Sequence, residues 1–250
     1  MTEHLKAFAV GCHPDDIEFM MSGTLMLLKD AGYEIHYMNI ANGSCGTACY
    51  ETETAIKIRR EESIKATELI GAVYHESLVN DLEVFYEKKL LAKMGSIIRE
   101  VAPEIILTHS PSEYMEDHSN TCRLTVSAAF CRGMRNFPVT PHKNPVSQPV
   151  TIYHALPYGL KDPLNNDVDA GFYIDVESKI ELKKEMLGLH KSQKEWLDKS
   201  QGVNAYIKTL EEMSLKIGEK SERFKYAEGW TRHLTLGFCA DDVDPLASLI

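Results

Sequence analysis

Strand-like and helix-like patterns alternate four times within about the first 130 residues, and that alternation narrows the fold more than any other feature of the chain. Lys6–Gly11 reads as a strand, and about Ser22–Ala31 as a helix that Gly32 stops. Ile35–Ile40 is a second strand, about Thr52–Ile70 a long charged helix ending at Gly71, and Val73–Leu78 a short strand. Leu90, Met94, Ile97, Ile98 and Val101 recur at helical spacing before Pro103, Glu104–Thr108 is β-branched and apolar enough for a buried strand, and about Asn120–Met134 reads as a helix. A chain built this way forms a mostly parallel sheet with helices on both faces, and such sheets bind ligands beyond the carboxyl ends of their strands.

The second half is less regular. Asn136–Pro149, with four prolines among polar residues, is an exposed connection. Thr151–Ala155, Phe172–Ile174 and Leu234–Phe238 read as strands, Pro157–Gly171 as a loop, and Ile180–His190 and about Val203–Ile217 as helices. The fold expected is α/β and Rossmann-like, and 250 residues could form one large α/β domain or two small ones.

The strand Lys6–Gly11 opens at once into Cys12-His13-Pro14-Asp15-Asp16-Ile17-Glu18, a histidine and three carboxylates in seven residues. That is the composition of a metal site, and Pro14 restricts the backbone so that His13 and Asp16 can be held as a ligand pair. An imidazole and a carboxylate suit Zn2+ or a neighbouring divalent transition metal. The competing reading is a surface Asp-Asp turn beside a core histidine. After the strand Glu104–Thr108 comes a second cluster, His109 to Thr121, which leaves the same edge of the sheet. His118 is the expected third ligand, held at the entrance of a helix, although a histidine there can also serve only the backbone. Two histidines and one carboxylate leave a tetrahedral position open, and Asp15 is placed to take a proton from a metal-bound water.

His13-Pro14-Asp15-Asp16 with Glu18, followed about a hundred residues later by Asp117-His118, resembles the zinc-dependent deacetylases of the LmbE or PIG-L type, which remove acetyl groups from N-acetylglucosamine conjugates. Asn42-Gly43, Arg59-Arg60-Glu61-Glu62, Ala66, Gly71, Pro103 and His190-Lys191-Ser192-Gln193 fit the family pattern in order. The resemblance implies a single domain over 1–250, with a core of about 1–135 and a C-terminal part, about 136–250, that completes the pocket; it also implies that His13, Asp16 and His118 bind zinc, that Asp15 is the general base, and that Arg59 reaches into the substrate pocket. On its own residues Arg59 reads equally as part of a solvated helix face. Many members carry a histidine three residues before the second metal histidine, and it stabilises the oxyanion; here Met115 stands there and cannot donate. His154 and Tyr114 are the expected replacements, against a bland reading of each as packing. Asp117 either orients a ligand or caps the helix, and His190 reads as structural.

The function expected is removal of acetyl from an N-acetylated amino sugar or its conjugate; the alternative is a metal-containing sugar- or metabolite-binding protein with little turnover. A phosphoester hydrolase lacks the basic support it needs, and negative charge at the first strand's end disfavours a dinucleotide. A net charge of -10 argues against nucleic acid and anionic membranes as partners. The sequence shows no apolar leader or spanning segment and six scattered cysteines, including Cys45 and Cys49 read as free thiols, so a cytoplasmic location is expected. A homo-oligomer is compatible with all of this.

Overall fold

A computed structural model describes residues 5–194, 196 and 205–249. Its centre is β1 (Lys6–Gly11), flanked in parallel by β2 (Glu34–Asn39) and β4 (Ile105–Thr108). β3 (Val73–His75) and β5 (Thr151–Ala155) extend the parallel part, and β7 (Ala227–Arg232) and β6 (Phe172–Asp175) add an antiparallel edge, giving the order β3-β2-β1-β4-β5-β7-β6. The expected α/β sheet is therefore present, and three of its seven strands come from beyond residue 150.

Side chains along β1 alternate between two cores. Ala7 and Ala9 face the layer that includes Leu25 and Leu28 of α2 (Ser22–Asp30) and Met186 of α6 (Ile180–Gly188). Phe8, Val10 and Cys12 face Met94 and Ile98 of α4 (Lys88–Val101) and Leu124 of α5 (Glu116–Phe130). Burial on both faces explains why the strand is a continuous apolar run. At its end a Cβ on Gly11 would lie 2.8 Å from Ile17 Cγ1 and 2.9 Å from Asn39 Oδ1, so only glycine lets α1 (Asp16–Met20) turn back this closely.

Three expectations need correction. The last strand is Ala227–Arg232, whereas 234–238 is loop and turn with Leu234 and Leu236 exposed. Apolar alternation in Leu234–Phe238 finds no sheet partner, and the true strand is disguised by Glu228 and Gly229. α5 begins at Glu116 rather than Asn120, since Glu116 and Asp117 suit the positive end of the helix dipole. β3 ends at His75, short of Leu78. The long charged helix, α3 (Thr52–Leu69), lies where expected. The late helix, α7, is described over Ala205–Ser221; its expected start at Val203 lies outside the described residues, as do Met1–His4. No described helix is long and apolar enough to cross a membrane.

Glu228 is buried because it is fully bonded. It accepts N–H groups of Gly23 and Thr24 at the start of α2, both at 2.8 Å, and pairs with the equally buried Lys183 of α6. Removing one partner of a buried pair leaves the other charge stranded, at about 3–5 kcal/mol. Lys183→Met should therefore lower unfolding stability by about that amount in denaturant titration, and adding Glu228→Gln should recover part of it. A Lys183→Met chain as stable as wild type would show the pair to be unimportant.

Candidate metal centre and active site

The sheet order reverses between β1 and β4, and the loops after these two strands converge at that switch point. His13 Nδ1, Asp16 Oδ2 and His118 Nε2 form a triangle with edges of 3.6, 3.4 and 3.3 Å. Four tetrahedral bonds of about 2.0–2.1 Å require donor separations of about 3.3–3.4 Å, so the three expected ligands fit a zinc-sized ion. Two imidazole nitrogens and a carboxylate oxygen facing one another have no other common partner as suitable as a cation.

Each imidazole is oriented from behind by a carboxylate. His13 Nε2 donates to Asp117 Oδ2 at 3.3 Å, and His118 Nδ1 to Glu113 Oε2 at 3.4 Å. Asp117 thus orients a histidine, although it is His13 across the site rather than its neighbour. Its Oδ2 also accepts the Leu82 N–H at 2.7 Å. Glu113 in turn approaches His109 Nδ1 at 3.5 Å, and His109 Nε2 accepts the Cys12 N–H at 2.9 Å. His109, Glu113 and His118 also lie within ligand distance of one another, but these contacts read as the support of the first triangle. Burial alone would raise the Asp16 pKa, yet His118, His109 and His13 hold it well below the usual carboxylate range. The carboxylate is therefore ready to bind a cation.

Asp15 sits beside this triangle in a left-handed conformation, φ 107. Its Oδ2 accepts the Tyr206 hydroxyl at 2.6 Å, and Oδ1 lies 3.7 Å from Arg59 Nη2. Burial pushes the Asp15 pKa up to about 6 against the pull of Arg59, with Asp16 adding to the rise and Tyr206 opposing it. Arg59 is buried, not solvated: it reaches the Pro14 carbonyl and Gln193 Oε1 and borders the same cavity. That cavity, of about 340 Å³, is also lined by Phe19, Met115, Tyr114, Tyr158, Trp196 and Tyr206.

His154 is not among the residues lining the cavity. β5 places it level with Thr108 and Val10, and side chains at matching positions of neighbouring strands share a face, so His154 points into the layer under α5. There its Nδ1 donates to the His109 carbonyl at 2.8 Å and its Nε2 faces His233 Nδ1 at 2.9 Å. Neither nitrogen is left for a substrate. Tyr114 does border the cavity, its ring 5.5 Å from that of His118. Glu18 stands apart from the ligand triangle, accepting Tyr37 O–H and His190 Nε2–H, both at 3.0 Å, in a fully buried group. All six cysteines are free.

Sequence reasoning missed Glu113 and Tyr206. Glu113 carried a usable signal, a carboxylate five residues before His118 in the same loop; Tyr206 carried none, being 191 residues from Asp15. Removing a carboxylate behind a ligating histidine typically weakens metal binding about 10–100-fold. Glu113→Gln should show that loss in competition titration with a chelator, whereas His13→Ala and His118→Ala should lose stoichiometric metal altogether. Wild-type affinity in Glu113→Gln would remove Glu113 from the site.

A family model described as PIG-L: GlcNAc-PI de-N-acetylase matches residues 8–129. Diacetylchitobiose deacetylase of Thermococcus kodakarensis is 30% identical over 139 residues, 53% of this chain and 52% of its own length. The 4-oxalmesaconate hydratase of Pseudomonas putida is 28% identical over 135 residues, 51% of this chain and 52% of its own. The chain thus spans about half the length of the curated relatives it matches. In fold it is similar to N,N'-diacetylchitobiose deacetylase of Pyrococcus horikoshii, with a TM-score of 0.78 at 23% identity, over 99% of this chain and 90% of that one. Residues 8–129, the stretch matched by the family model, carry both histidine clusters in the geometry just described, and this part of the chain belongs to the PIG-L/LmbE-type deacetylase family.

Proposed function

We propose that this protein is a zinc-dependent N-deacetylase that hydrolyses the acetamido group of an N-acetylated amino sugar or a conjugate of one. The observation that carries the reading is the triangle of His13, Asp16 and His118 with a second buried carboxylate, Asp15, beside it on the cavity wall. Zinc held by those three residues would polarise the acetyl carbonyl and acidify a water. Asp15 accepts the proton of the attacking water and returns it to the nitrogen as the C–N bond breaks, releasing acetate and a free amine. A pKa of about 6 suits a group that must first take and then give a proton near neutral pH. The Tyr206 hydroxyl is hydrogen-bonded to Oδ2, whereas Oδ1 faces Arg59 Nη2 at 3.7 Å, beyond hydrogen-bond distance, and is the oxygen better placed to exchange a proton.

Hydration of a polycarboxylate, as the name of the Pseudomonas putida relative specifies for that protein, is less well supported. The cavity wall bears Asp15, Asp16 and Asp81 against one guanidinium that is already bonded to Pro14 and Gln193. An uncharged acetamido group meets no such repulsion. Met115 supplies no donor to the acetyl oxygen and His154 is turned away, so the chain lacks the histidine many family members use there.

Acetate release from N-acetylglucosamine derivatives, abolished by a chelator and restored by zinc, is the test; saturable binding without acetate release would support the metabolite-binding alternative instead. Asp15→Asn should keep its metal and lose roughly a hundredfold or more in kcat. Tyr206→Phe, which removes one hydrogen bond to a charged group, should lose about tenfold. Met115→His should raise kcat on a simple N-acetyl sugar by roughly tenfold or more if it adds a donor at the oxyanion. Loss of metal in Asp15→Asn would mean that the roles of the two aspartates are reversed.

A further inference from the structure

Two large apolar side chains border the cavity and yet remain exposed: Leu82 at 66% and Tyr114 at 51%. Leu82 is held there by its backbone. Asp81 Oδ1 and Oδ2 accept the N–H groups of Gly43 and Cys45 at 2.7 and 2.8 Å, and the Asp81 N–H donates to Ser44 Oγ at 3.0 Å. The next N–H, that of Leu82, is fixed on Asp117, which also holds His13. Between these anchors Leu82 has φ 63, a left-handed conformation that a branched apolar residue rarely adopts. Strain of this kind persists only where surrounding bonds over-determine it, and it concentrates at ligand sites. Tyr114 is placed just as closely, its ring edge-on to His118 and 6.1 Å from that of Tyr158. The carboxylates Asp15 and Asp16 serve the acetamido end, but neither Leu82 nor Met115 can donate a hydrogen bond to a sugar hydroxyl.

Resting on the deacetylase reading, we infer that Leu82 and Tyr114 form a subsite for an apolar aglycone, so that the substrate is an N-acetylated amino sugar carrying an aryl or alkyl group rather than the free sugar or a purely polar conjugate. Covering these side chains removes apolar surface from water on both partners, enough for about a tenfold gain in affinity.

The zinc-loaded full chain carrying Asp15→Asn, which blocks turnover, is titrated calorimetrically with the methyl, phenyl and octyl β-glycosides of N-acetylglucosamine. The phenyl or octyl glycoside should bind at least about tenfold tighter than the methyl glycoside, and which of the two gains more identifies the aglycone as aryl or alkyl. Adding Leu82→Gly, which removes the side chain and suits the left-handed backbone, should bring the ratio to about two or less. Tyr114→Ser should reduce the same ratio. Equal affinities for all three glycosides, or equal losses for all three in Leu82→Gly, would overturn the subsite. So would a changed oligomeric state in Leu82→Gly with ligand preference intact, which would mean that a second copy of the chain covers Leu82. Absence of acetate release by the wild-type chain would reject the deacetylase reading separately, because the affinity ratios do not depend on turnover.

Discussion

One buried guanidinium ties together the three parts of the chain that build the site. Arg59 leaves α3, passes the 43–46 loop, and ends on the Pro14 carbonyl, the Asp15 carboxylate and the side chain of Gln193. A charge this deeply buried is tolerable only when it is paired and hydrogen-bonded, so each of these acceptors is also a requirement on the fold. The glycines of the loop are explained by the same side chain. A Cβ on Gly43 would lie 2.6 Å from Arg59 Cδ, and one on Gly46 would lie 2.4 Å from Nη1. Asn42-Gly43 and Arg59, separate motifs in the sequence, are thus two halves of one packing arrangement.

A second constraint is electrostatic. Asp15, Asp16, Glu113 and Asp117 crowd around His13, His109 and His118 in largely buried surroundings, and a cation at the triangle would neutralise part of that charge. The chain divides the work between adjacent residues. Asp16 is surrounded by imidazoles and backbone N–H groups and stays ionised, whereas Asp15, one residue earlier, is buried with fewer partners and is pushed up to about 6. Environment, not residue type, separates these two carboxylates, and the proposed mechanism uses one as a ligand and the other as a proton carrier.

Six of the seven strands and the two histidine clusters were legible because periodicity and spacing along the chain encode them. What was not legible depends on contacts across long separations. β7 hides its pattern behind Glu228, whose burial makes sense only once Lys183 and the start of α2 are beside it. His154 does lie near the end of a strand, but strand position does not reveal which face a side chain takes; register with Thr108 and Val10 decides that. Arg59 reads as surface by composition and is buried, because its partners come from the loop 43–46 and from Gln193. Tyr206 and the Glu18–His190 pair are equally invisible to any local pattern.

These contacts are divided unevenly between the two halves of the chain. The stretch matched by the family model, residues 8–129, contains every side chain of the ligand triangle and the carboxylates that orient its histidines. The groups that bear on Asp15 and Arg59 from outside it, Tyr206 and Gln193, come from the C-terminal part, as does Trp196 on the cavity wall. Ser192 strengthens that attachment by donating its N–H and hydroxyl to Glu62 of α3 at 2.8 and 2.6 Å. The N-terminal half therefore sets where a cation can sit, while the C-terminal half bears on how Asp15 is held and on the shape of the cavity. For this chain, then, the contacts of Tyr206 and Gln193 and the placing of Trp196 decide what a substrate would meet beside the His13, Asp16 and His118 triangle.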